Sequence, residues 1–148
     1  MDNPFWQFSL KLYASKGVES LCLQLQTQYG LNVNLLLWGC WLAEQDLLLD
    51  AEVYRQAQQT IELWQRQYVE PLRLMRQQLK DHAATTLRAK IMSAELEAER
   101  AVQDRLYMFA TEVQMSMATN CLKDNINICL RSYAAQSQLN AVLSILTN

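Results

Sequence analysis

The chain has 148 residues, with 51% hydrophobic residues and a formal net charge of −2. That length fits one domain, and the apolar fraction supplies a core without need of disulfide or metal. No basic run exists to release counterions from a phosphate backbone, so nucleic-acid binding is not expected. Three Gly and two Pro punctuate the whole chain, which predicts long helices with few connections.

Asn3-Pro4 is a helix start, an amide cap followed by the residue favoured at the first helical position. Phe5, Phe8 and Leu12 lie on one side of the helix and Trp6, Leu10 and Tyr13 on an adjoining one, so a wide face is gripped. Gly17 is placed to end this helix in a left-handed cap. A second helix, Val18 to Tyr29, carries the stripe Val18, Leu21, Cys22 and Leu25 and stops at Gly30. Asn32 then caps a third. Its segment Asn34–Ala43, NLLLWGCWLA, is apolar all round and too short to cross a bilayer, which marks it as the central helix of an all-helical fold. Gly39 in its middle costs about 1 kcal/mol against Ala, and close approach of another helix is the expected compensation.

Glu44, Asp46, Asp50 and Glu52 follow, flanking Leu47–Leu49, a short buried connector. Asp50 reads as the cap of the next helix, with Glu52 suiting its dipole. From Ala51 to about Asp81, Val53, Ala57, Ile61, Trp64, Tyr68, Leu72, Met75 and Leu79 form one stripe with a period near 3.67. The stripe stays in phase across Pro71, which favours one kinked helix over two separate ones. Glu62 and Arg66 form a favourable i, i+4 surface pair. After a turn at His82–Thr86 the stripe resumes as Leu87, Ile91, Ala94, Ala98, Val102, Leu106, Phe109 and Val113. The two runs predict an antiparallel hairpin over about 51–117, with straight arms of roughly 45 Å. A compact globule of this size is only about 40 Å across, so the hairpin bends at Pro71 or projects beyond the core. One or two helices close the bundle over about 120–147, weakened at the start by Asn120, Asn125 and Asn127. With N-terminal core helices over about 4–45, the fold class is all-α, a single-domain bundle of about six helices.

The chemistry-bearing residues are sparse. Cys22, Cys40, Cys121 and Cys129 lack CxxC spacing and read as buried reduced thiols. His82 is the sole histidine, and its context KDHAATT is a helix end without a neighbouring nucleophile. No Gly-rich phosphate loop exists. If the central helix ran on through the acidic cluster, Asp46 and Asp50 would share a face able to hold Mg²⁺; the alternative is that both are solvated caps. Glu95, Glu97 and Glu99 alternate around a helix and form no compact ligand set. Trp6, Trp38, Trp41 and Trp64 build either a bulky core or an apolar pocket. Met92, Met108, Met115 and Met117 read as core filler, with an adaptable binding face as the sharper alternative. No cofactor is called for.

The strings FWQFSLKLY, GVESLCLQLQ and YGLNVNLLLWGCWLA, with AELEAER in the hairpin, resemble a small family of uncharacterised proteobacterial proteins. The likeness covers the first 43 residues well and the rest thinly. That family commonly has Asp where Asn32 stands and Pro where Lys16 stands, differences that touch only caps and turns. The resemblance implies a bacterial cytoplasmic protein and brings no activity with it. An acidic N-terminus with no long apolar run behind it agrees, since it does not read as a secretory leader. The leading expectation is a non-enzymatic protein with a protein partner or self-association, and without nucleic-acid or membrane binding. A binder of an apolar small molecule comes second and a metal-assisted enzyme using Asp46 and Asp50 third.

Overall fold

In the computed structural model, which describes residues 2–147, the chain winds as α1 (Pro4–Tyr13), α2 (Val18–Tyr29), α3 (Val33–Glu44), β1 (Leu47–Leu48), α4 (Ala51–Trp64), α5 (Glu70–Gln78), α6 (Thr85–Glu112), β2 (Ser116–Met117), α7 (Leu122–Arg131) and α8 (Leu139–Leu146). A π-helical segment, Gln65–Val69, joins α4 to α5, and a 3₁₀ turn, Gln136–Gln138, leads into α8. The architecture is an all-α bundle, as the apolar periodicity predicts. Counting the joined α4 and α5 once, there are seven helical rods among the described residues where the sequence predicts about six.

α3 is the axis of the bundle. Every residue from Asn34 to Leu42 is buried, and α1, α2, α6 and α7 all pack on this helix. Its caps follow local rules: the Asn32 side chain accepts from the Asn34 N–H at 3.0 Å, as Asn3 accepts from Trp6 and Asp50 from Val53. Gly39 is where α7 crosses. A Cβ there would stand 3.0 Å from Cys129 Sγ, so the bare backbone admits the neighbouring helix.

Asn125 of α7 locks this crossing. It is fully buried, accepts from the Leu49 N–H at 2.8 Å, and donates to the carbonyls of Gly39 and Leu47, both at 3.0 Å. The sequence reading treats this Asn as a weakness in the helix. In the fold it gives the buried Leu49 N–H, in the turn between α3 and α4, its acceptor and ties that turn back to the Gly39 carbonyl of α3. The same turn holds a feature absent from the sequence reading. Leu47 and Leu48 form an antiparallel bridge with Met117 and Ser116, and the Asp46 carbonyl accepts from the Ala118 N–H.

The continuity through Pro71 is as expected, and three other local expectations, at Gly17, at Tyr68 and at the methionines, are corrected. α1 ends at Tyr13, and Gly17, at φ 84°, opens α2 instead of closing α1. The helix runs through Pro71 unbroken, because the chain widens just before it: the Glu70 N–H reaches back to the Gln65 carbonyl. Proline supplies no N–H for the carbonyl four residues back, and a π turn relieves that crowding. The wider turn also shifts the stripe, so Val69 is buried where period 3.67 predicts Tyr68, which is exposed. Lastly, Met92, Met108 and Met117 are exposed and do not fill the core.

Candidate functional site

Beyond the π segment the hairpin changes character. α5 contributes no buried residue, and α6 buries none before Glu95. Leu74, Met75, Leu87 and Met92 remain exposed there. The two arms are joined by charge. Glu95 and Glu99, one helical turn apart on α6, face Arg73 and Arg76 of α5: Arg76 donates to both Glu95 oxygens and Arg73 donates to Glu99 at 3.2 Å. Glu95 is buried, and Arg73 lies 3.6 Å from it as well. Enclosure raises the Glu99 carboxyl above its ordinary pKa, with Arg73 opposing. Sequence reasoning saw the alternating glutamates but not their partners. The 3.6 period alone places Glu95 and Glu99 on one face, and that signal was available.

A pocket of about 140 Å³ lies between α1, the start of α3 and α6. Trp6, Val33 and Leu37 supply apolar wall, and Ser9, Asn34, Glu99 and Gln103 supply polar groups. The Gln103 amide nitrogen donates to Asn34 Oδ1 at 2.9 Å. The remaining Gln103 oxygen and the Ser9 hydroxyl are buried without partners. A second, broader groove of about 550 Å³ runs between the α3 N-terminus and α4–α5. Its arginines, Arg55, Arg66 and Arg73, alternate with Glu62 and Glu70, so it presents no field of one sign.

The four tryptophans stand at separate places. Trp38 is fully buried with its ring 6.0 Å from Phe109, and Trp41 is clasped between Phe5 and Tyr107, each at 5.7 Å. Trp64, on the hairpin, donates to the Ala98 carbonyl at 2.9 Å under the Arg105 guanidinium. Trp6 lines the 140 Å³ pocket, with Arg100 over its ring.

The acidic cluster is split by the end of α3 at Glu44, so Asp46 and Asp50 do not lie on one helix. Asp46 occupies a left-handed turn at φ 58°, and Asp50 caps α4. Among the described residues no three His, Cys, Asp or Glu side chains gather as a metal-binding group. His82 lies in the turn between α5 and α6, where Nδ1 accepts from the Ala84 N–H at 3.1 Å. The four cysteines are free and buried; burial pushes the Cys22 and Cys40 thiols up to about 12 and raises Cys129 as well. No helix among the described residues is long and apolar enough to cross a membrane.

A family model described as "Protein of unknown function (DUF2390)" matches residues 4–106. No curated protein and no solved structure matches the chain. The matched span runs from α1 through most of α6, well past the 43 N-terminal residues that carry the sequence resemblance, and it includes the hairpin tip and every residue that lines the 140 Å³ pocket. The chain therefore belongs to the DUF2390 family.

Proposed function

We propose that this protein is a non-enzymatic interaction protein, an adaptor or regulator that docks through the tip of its hairpin, residues 70–94. One observation carries the reading: Leu74, Met75, Leu87 and Met92 are 42–55% exposed in a stretch where neither arm buries a residue in the core. Single exposed apolar side chains are ordinary on any surface, but four within one short hairpin end concentrate apolar surface there. The ion pairs of Arg73 and Arg76 with Glu95 and Glu99 fix the two arms, so that surface is presented without a large ordering penalty on binding. The occupant that fits is an amphipathic helix of another protein, or the same hairpin of a second copy. Four unpaired buried cysteines favour a reducing, cytoplasmic setting, and the bacterial assignment rests on the sequence resemblance.

The test is affinity purification from native cells alongside light scattering of the pure protein, each run with the wild type and with a Leu74→Glu, Met92→Glu variant. A stoichiometric partner or a self-association that the variant abolishes, at unchanged helicity, supports the reading. A strict monomer that retains no protein, or a partner held equally by the variant, overturns it.

A further inference from the structure

We propose that the face of α6 from Ala101 to Glu112 is a homodimer interface, on which a second copy of this chain lays the same helix in the opposite direction. A shallow groove of about 390 Å³ runs along this face between α6 and α4. Ala101, Met108 and Phe109 supply its apolar lining. Met108 is 43% exposed, and Leu63, one turn beyond the groove-lining Thr60 of α4, is 56% exposed. Ala101, Arg105, Met108 and Glu112 follow one another at steps of 4, 3 and 4 residues, the spacing of a seam along which one helix packs on another.

The charges select the occupant. Arg105 and Glu112 both line the groove, and among the described residues neither forms an ion pair. The third charged residue there, Asp104, already accepts from Asn3 at 2.7 Å. Arg105 is held in place: its guanidinium stacks 4.1 Å from the centre of the Trp64 ring and donates to the Ala101 carbonyl at 3.2 Å. Two turns, about 10 Å of helix, separate Arg105 from Glu112, and Met108 stands between them. One charge of each sign about an apolar centre is a pattern complementary to itself. Turned about a two-fold axis beside Met108, a second α6 sets its Glu112 opposite Arg105 and its Arg105 opposite Glu112, while the two Met108 side chains meet near the axis. A ligand of a single sign meets repulsion at one end of the groove. At a net charge of −2, overall repulsion between two copies is small. The face lies on the last turns of α6, apart from the hairpin tip, and does not rest on the reading of that tip.

The experiment is sedimentation velocity of the full chain over about 5–500 μM. We expect the wild type to pass reversibly from monomer to dimer in that range, and the Leu74→Glu, Met92→Glu variant to do the same. Arg105→Glu alone and Glu112→Arg alone each set like charges across the axis and are expected to dimerise at least about tenfold more weakly at unchanged helicity. Mixed in equal amounts, these two variants bring two acidic positions against two basic ones, and the mixture is expected to recover the dimer. A wild type that stays monomeric throughout, single variants that dimerise as the wild type does, or a mixture that stays monomeric overturns the proposal. A dimer lost in the Leu74→Glu, Met92→Glu variant places the contact at the hairpin tip and overturns it too. Should Arg105→Glu fail to fold, Met108→Asp and Glu112→Arg, both at exposed positions, decide the matter, since a dimer retained in either removes the interface.

Discussion

α3 and α5 are both short helices, and their surroundings are opposite. α3 buries nine residues in succession and has almost no solvent face. α5 buries none, although Leu72 and Met75 stand at helical spacing along it and Leu79 continues the stripe at its C-cap. An all-apolar helix leaves the fold no choice but to surround it. A one-sided stripe only requires that something cover it, and the second arm of a hairpin covers part. The contrast teaches that a helix can be well formed, fixed by ion pairs and still unfinished as a surface.

The comparison breaks most severely at α3. Trp38→Ala empties the centre beside Phe109, and we expect it to cost about 3–5 kcal/mol in urea denaturation. Asn125→Ala comes next, at about 2 kcal/mol, because it strands the buried Leu49 N–H and removes one of the donors to the Gly39 and Leu47 carbonyls. A loss below about 1 kcal/mol would show that water replaces the side chain. In the hairpin, Glu95→Ala removes the shared partner of Arg73 and Arg76 and should cost about 1–2 kcal/mol. Hydrogen exchange in α5 is expected to rise in this variant while α3 stays protected.

Glu99 sharpens the contrast through pH. Its folded-state carboxyl holds a proton to higher pH than in the unfolded chain, where the ordinary value is about 4.5. Its contribution to stability therefore falls as pH rises from that value through the raised folded one, then levels off. Glu99→Gln should flatten this slope in denaturation curves taken across the range. The smallest effect is expected at the tip, where Leu74→Gln should change stability by less than about 0.5 kcal/mol, since the side chain is 55% exposed. A larger loss by calorimetry would mean that the tip supports the fold.

Rules that reach across a few residues made much of this molecule legible. Asn3, Asn32 and Asp50 cap helices because a short polar side chain meets free amides within three residues. Gly30 closes α2 because it adopts a left-handed conformation at φ 67°. The buried length of α3 and the pairing of the hairpin arms follow from apolar spacing. The pocket was far less legible, because its lining comes from distant segments: Ser9 and Gln103 come to line one pocket only after α1 is laid against α6.

By itself, then, the sequence determined the helices, most of their ends and which of them must lie at the centre. Tertiary structure alone decided that the turn before Pro71 widens and hands the core position from Tyr68 to Val69. It also decided that Asn125 serves three backbone groups, that Leu47 and Leu48 bridge to Ser116 and Met117, and that residues of α1, α3 and α6 line one pocket. Caps and stripes are written within one or two turns of helix, where chain geometry is fixed. A hydrogen bond or cavity between residues some ninety positions apart depends on how whole helices cross, and local sequence does not set that crossing.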